Sequence, residues 1–154
     1  MGRQPSSRHC FVCGVQNPYG LKLQFVDDGE STVRAQVIVP DHYNGYPGVV
    51  HGGIIAALLD ETAGRSLLLD GNEDQLMVTL KLEIKYRRPT PTGVPLTLIG
   101  QVVKRSGSRA QVDAKLFLPD GTLAAEGQAL LMRPSEEFFR RWEPEKRHWR
   151  VYDD

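Results

Sequence analysis

Apolar residues recur at every second position over most of this chain and switch to a helical spacing once, near the middle. Before the switch, residues 21–26 and 32–39 read as strands joined by a turn at Asp27, Asp28 and Gly29, which predicts a hairpin. After it, Leu76, Val78, Leu80, Leu82, Ile84 and Tyr86 alternate with Met77, Thr79, Lys81, Glu83, Lys85 and Arg87, giving a long half-buried strand that Pro89 and Pro91 end. Runs at 95–104, 109–118 and 122–132, separated by Ser106-Gly107 and Pro119-Asp120-Gly121, continue it as a meander. Residues 53–69 have helical length and are apolar nearly all round, and such a helix is buried on every side. The expected fold is therefore α+β: a curled antiparallel sheet of about six strands wrapped around one long central helix, with a second layer completing the burial. Beyond Arg133, Ser135-Glu136-Glu137 ahead of Phe138, Phe139 and Trp142 predicts a capped short helix, stopped by Pro144, that covers a sheet edge or an end of the barrel.

One residue breaks the apolar helix. Asp60 would cost several kcal/mol as an isolated buried charge, on the order of the penalty for any unpaired ion, so something must compensate it. At about 100° per residue, Gly53, Ala56, Ala57, Asp60 and Gly64 share one stripe, while Ile55, Leu58, Leu59 and Thr62 lie on another. Small residues leave room for a ligand or a second backbone, so Asp60 is expected to face a crevice. Its bland reading is a buried acid that caps a neighbouring segment. Glu61, one step round, is the competing acid. It reads first as half of an ion pair with a lysine or arginine, and is also carried as a substrate-binding candidate.

His51-Gly52-Gly53 precedes the helix, where backbone N–H groups lack helical partners and can polarise a carbonyl oxygen. Tight packing of the helix start would also explain the glycines. His51 reads as a structural residue whose ring bonds nearby backbone, rather than as a proton-transfer group. Thr79 lies on the polar side of the long strand, opposite Leu80 and Leu82, and is expected to face a second subunit.

Val49-Val50-His51-Gly52-Gly53 followed by Leu59-Asp60 resembles the helix signature of hotdog-fold acyl-CoA thioesterases of the phenylacetate-pathway, PaaI-like, type. The resemblance covers roughly residues 13–132. It implies a hotdog fold and hydrolysis of an acyl-CoA, with Asp60 as nucleophile or general base and the Gly53 amide polarising the thioester carbonyl. It further points to Asn44, which needs about one extra residue in the loop before His51, and to Thr79. By the same analogy Asp60 of one chain works with Gly53 and Asn44 of another, in a homodimer or homotetramer.

Composition narrows the alternatives. With 154 residues the chain fits a single domain, 1–154, in which residues 1–20 and 133–154 are an N-terminal segment and a C-terminal extension packed on the core. Nineteen basic and nineteen acidic residues leave no net field, so nucleic acid is not an expected partner. No secretory or membrane-spanning run is present, which makes the cytoplasm the expected compartment. Neither a cofactor nor a metal is expected. Cys10 and Cys13 have metal-ligand spacing without a second pair, and although His9 and His42 could complete a set, a reduced, buried thiol pair near the first strand is the simpler reading. Arg105, Gly107 and Arg109 at a hairpin tip are candidates for coenzyme A phosphates or plain solvated charges. Arg140, Arg141, Lys146 and Arg147 alternate with acids and read as solvated surface. Two other functions stay open: a hotdog hydratase or dehydratase using His42 with Asp60, and a noncatalytic acyl-CoA-binding module.

Overall fold

The computed structural model describes residues 2–153. Its strands are β1 (Phe25–Asp27), β2 (Thr32–Ile38), β3 (Asn44–Tyr46), β4 (Val49–Val50), β5 (Val78–Tyr86), β6 (Pro95–Ser106), β7 (Arg109–Phe117) and β8 (Leu123–Met132). Helix α1 spans Gly52–Arg65 and α2 spans Glu136–Trp142. Six strands form one antiparallel sheet in the order β1-β2-β6-β7-β8-β5, and β3 pairs with β4 in a small hairpin beside it. The period-two pattern is the cause: on β7 Ala110, Val112, Ala114 and Leu116 are buried while Arg109, Gln111 and Lys115 are exposed, so one face turns inward. That face receives Ile55, Leu58, Leu59, Thr62 and Ala63 of α1, giving the hotdog arrangement. Leu58 and Leu59 are fully covered, and truncating either to alanine would cost about 2–5 kcal/mol. Gly100 on β6 permits the approach, because a Cβ there would collide with Ser66 Oγ and the Thr62 carbonyl.

Several expectations need correction. The helix ends at Arg65 rather than running on to Leu69: Ser66 turns its hydroxyl back onto the Thr62 carbonyl at 3.0 Å, and the chain then reverses through positive φ at Asp70 and Gly71. Nor is α1 buried on every side. Its stripe of Gly53, Ala56, Ala57, Asp60 and Gly64 stays partly open in the single chain. The first strand is shorter than predicted, because Lys22 adopts φ 52° and residues 21 and 23 bond the backbone of Phe11 and Val12 instead. The β3–β4 hairpin was not predicted. Ser135 does cap α2, accepting from the Phe138 N–H at 3.3 Å, and α2 ends at Trp142, ahead of Pro144, which lies in a following 3-10 turn, Glu143–His148.

The long strand carries the most consequential difference. Thr79 pairs with Leu131 and Lys81 with Leu130, so Leu80 is an extra residue, a β-bulge, and is 47% exposed. The bulge inverts the alternation: Thr79 shares the inward face with Leu131, and Leu82 resumes that face opposite Ala129. Thr79 thus reaches Asp60 on the chain's own helix while staying exposed in the single chain.

The tail lies over the C-terminal end of α1. Trp149 donates its indole N–H to the Gly71 carbonyl at 3.1 Å, packs edge-on against Trp142, and lies over the Arg65 guanidinium. Arg150 bridges to Ser6, which brings both ends of the chain to the same place.

Candidate active site

At the start of α1, His51 is the N-cap, and its Nδ1 accepts the Gly53 N–H at 2.8 Å. The ring bonding backbone is the structural role expected of His51. It also means that the Gly53 amide, the candidate carbonyl donor, already has a partner within the chain. The Tyr86 hydroxyl donates to the Gly52 carbonyl at 2.8 Å and ties the helix start to the end of β5. Asn44 opens β3 in the same hairpin, opposite Val50, and the His51 N–H bonds the Tyr43 carbonyl. His51, Gly52 and Tyr86 border a cavity of about 670 Å³ whose wall also includes Gly45 and Arg88, while Asn44 and Gly53 are adjacent in sequence but do not line it.

Two turns further along, Thr79 Oγ1 donates to Asp60 Oδ1 at 2.7 Å. Both line a second cavity of about 220 Å³, with Gly64, Met77 and Leu131 supplying apolar wall. Asp60 therefore faces a crevice from the small-residue stripe, as its spacing predicted. Asn44, His51, Gly52 and Gly53 gather at one end of α1, while Asp60, Glu61 and Thr79 gather toward the other. Seven residues separate Gly53 from Asp60, roughly 10 Å of helix rise, so one carbonyl cannot touch both within a single chain.

The remaining candidates are placed differently. Arg105 donates to Gln75 Oε1 at the β6–β7 tip, where Gly107 turns with φ 57° and Arg109 aligns with Met132, itself opposite Val78. The tip thus stands at the Thr79 end of the sheet. His42 packs against Tyr43 with ring centroids 4.4 Å apart and planes tilted by 51°, and is not among the residues around Asp60. Its proposed pairing with Asp60 for hydration chemistry is not formed in the single chain.

Sequence reasoning missed a polar cluster in the Asp60 cavity. Glu61 does pair with an arginine: Arg65, one turn on, donates Nε to Glu61 Oε1 at 3.1 Å and is 2% exposed. Arg65 sits between the Phe25 and Trp149 rings and also donates to the Pro5 carbonyl. Cys10 and Cys13, both free thiols, complete the cluster, with Cys10 Sγ donating to Glu61 Oε2 at 3.7 Å. A hydrogen bond from Cys13 draws the Cys10 thiol down to about 7, against burial. That same bond, reinforced by burial, pushes Cys13 up to about 12. Burial likewise pushes the Glu61 carboxyl up to about 7, opposing the pull of Arg65. The donor atoms of Cys10, Cys13 and Glu61 lie within 4.8 Å of one another, so among the described residues these three, without His9 or His42, could hold a metal ion. The available signals were the two-residue spacing of the cysteines and a Glu–Arg pair four apart in an otherwise apolar helix.

Residues 47–125, just over half of the chain and including β4, α1 and strands β5 to β7, match the family model described as the thioesterase superfamily. The chain belongs to the thioesterase superfamily. A crystal structure of another thioesterase superfamily protein superposes with a TM-score of 0.75 at 30% identity, covering 81% of this chain and 63% of that one. The Escherichia coli PaaI protein of the phenylacetic acid degradation operon superposes with a TM-score of 0.66, over 73% of this chain and 84% of its own; at 20% identity this shows the shared fold. Acyl-coenzyme A thioesterase THEM4 of Mus musculus is 31% identical over 97 residues, 62% of this chain and 40% of that protein. This superfamily member thus aligns with about two-fifths of its mouse relative. Among the described residues, no helix is long and apolar enough to cross a membrane.

Proposed function

We propose that the chain hydrolyses an acyl-CoA thioester to free acid and coenzyme A, with Asp60 as nucleophile or general base. The observation carrying this reading is an Asp60 carboxylate held by Thr79 at the wall of a mostly apolar crevice, on a helix that begins with His51-Gly52-Gly53. In the proposed reaction the Gly53 amide polarises the thioester carbonyl. Preorganised donors of this kind are worth about 3 kcal/mol each when negative charge develops on that oxygen. Asp60 then attacks the carbonyl carbon or removes a proton from the attacking water, and coenzyme A leaves as the thiolate.

Helix geometry makes the proposal oligomeric. The rise between Gly53 and Asp60 requires the amide of one chain to meet the carboxylate of another, with Asn44 on the amide side holding the water or the carbonyl. The open small-residue stripe on α1 supplies a face where two helices can approach. For Gly53 to serve, the substrate oxygen must share or displace the His51 ring on that N–H. Arg105, Gly107 and Arg109 stand at the Thr79 end of the sheet, and we assign them the coenzyme A phosphates. The name of the mouse relative, an acyl-coenzyme A thioesterase, supports the substrate class.

A panel of short, long and aromatic acyl-CoA esters, read by thiol release, tests the reading. Turnover of at least one ester is expected, with Asp60→Asn losing roughly 10²-fold or more. Tight binding without turnover across the panel would replace the enzyme with a binding module, and hydration of an enoyl-CoA without thiol release would replace it with a hydratase.

A further inference from the structure

The N-terminal thiols have no part in the hydrolytic reading. We propose that Cys10 and Cys13 form a dithiol–disulfide exchange site for small-molecule disulfides, in which Cys10 is the attacking thiol, Cys13 resolves the mixed disulfide and Glu61 accepts protons. This is independent of whether Asp60 hydrolyses thioesters.

The local chain is built to bring the sulfurs together. Gly14 N–H bonds the Cys10 carbonyl at 2.8 Å, and a Cβ at Gly14 would collide with the Cys10 backbone, so the turn closes only with glycine. Both Sγ atoms and a Glu61 oxygen then lie within 4.8 Å. The two thiols are not equivalent. Both line the cavity of about 220 Å³, but Cys10 is partly accessible whereas Cys13 is 2% exposed. The Val12 N–H points at Cys10 Sγ at 3.4 Å, a donor that favours a thiolate there. Ser7 Oγ lies 3.3 Å from Cys13 Sγ. Arg65, buried at the same cavity wall, has an Nη2 without a hydrogen-bond partner, a cation able to steady a transient thiolate on Cys13.

The placement agrees with these roles: Cys10 is the more accessible thiol, and a Glu61 oxygen lies near both sulfurs, where it can take a proton. In the first step the Cys10 thiolate attacks one sulfur of R–S–S–R, forming a Cys10–S–S–R mixed disulfide and releasing one RS⁻. Cys13 then passes its proton to the Glu61 carboxylate and attacks Cys10 Sγ, releasing the second RS⁻ and leaving a Cys10–Cys13 disulfide. The protein dithiol loses two electrons, the small disulfide gains them, and the protons leave with the two RSH products.

The experiment titrates the full chain with oxidised and reduced glutathione at neutral pH, quenches with acid, alkylates the remaining thiols and measures intact mass. Wild type is expected to lose two hydrogens and both alkylation sites together. Cys13→Ser is expected to stop at the glutathione mixed disulfide on Cys10, and Cys10→Ser to react roughly tenfold more slowly or worse. The proposal is overturned if both wild-type thiols stay alkylatable in excess oxidised glutathione, if a mixed disulfide persists on wild type with Cys13 free, or if the two thiols prove to be held by a stoichiometric zinc ion that glutathione disulfide does not displace.

Discussion

Thr79 donates its hydroxyl proton to Asp60 at 2.7 Å from a strand position that the bulge at Leu80 has turned inward. The hydroxyl occupies one lone pair of the carboxylate, and in the proposed reaction the other oxygen is the one offered to a water or an ester carbon.

Replacing Thr79 with valine keeps the shape of the side chain and removes that bond. A hydrogen bond to a charged group is worth about 1.5–3 kcal/mol, so thioesterase kcat/KM is expected to fall by roughly 10- to 100-fold. Thr79→Ser should retain most of the rate. Steady-state kinetics of the two variants, with circular dichroism to verify the fold, make the comparison; equal rates for valine and threonine would remove Thr79 from the site.

Two impaired chains should complement each other. Asp60→Asn spoils the carboxylate half-site and Asn44→Ala the amide half-site. In randomly mixed dimers half the assemblies are mixed and half of their sites are intact, so about a quarter of wild-type activity should return. Unfolding and refolding the mixture before assay tests this, and a mixture no better than the average of its parts would place the whole site within one chain.

His51 should separate helix capping from catalysis. Loss of the bond from Gly53 N–H in His51→Ala is expected to lower stability by about 1 kcal/mol, while His51→Asn, a good capping residue, should keep most of it. Urea unfolding of the three proteins measures the difference.

Glu61 should make stability depend on pH in an unusual direction. Its carboxyl is raised from the ordinary 4.5 to about 7, so between those values the folded chain holds a proton that the unfolded chain has released. Unfolding free energy from this group is therefore lost as pH rises from about 4.5 to about 7, and is level above that. Cys10, lowered to about 7, acts oppositely between about 7 and 9. Denaturant melts of wild type and Glu61→Gln at pH 5 and 7 are expected to show wild type losing ground to the variant at the higher pH. A constant difference would assign Glu61 an ordinary acidity.

The antiparallel sheet, the central helix and the orientation of Asp60 were legible in the residue pattern, because each depends on which side of a local element is apolar. Ile55, Leu58, Leu59 and Thr62 are buried, and the Gly53–Asp60–Gly64 stripe is partly open, as the 3.6-residue period requires. Alternation failed at Thr79 for a physical reason: a bulge adds one residue to a strand without altering its composition, so Leu80 reads as an inward leucine until its pairing with β8 is seen.

The sequence by itself determined the main strands, the central helix with its apolar face and the presence of an acid on that helix behind His51-Gly52-Gly53, since those follow from the spacing of neighbours along the chain. Tertiary structure alone decided that Thr79 holds Asp60, that the Gly53 amide rests on the His51 ring, and that two thiols meet Glu61 and Arg65 under Trp149. Apart from the His51–Gly53 pair, these contacts join residues far apart in the chain, such as Cys10 with Glu61 and Arg65 with Trp149. Packing of the sheet and of both termini around the end of α1, rather than any local period, sets them.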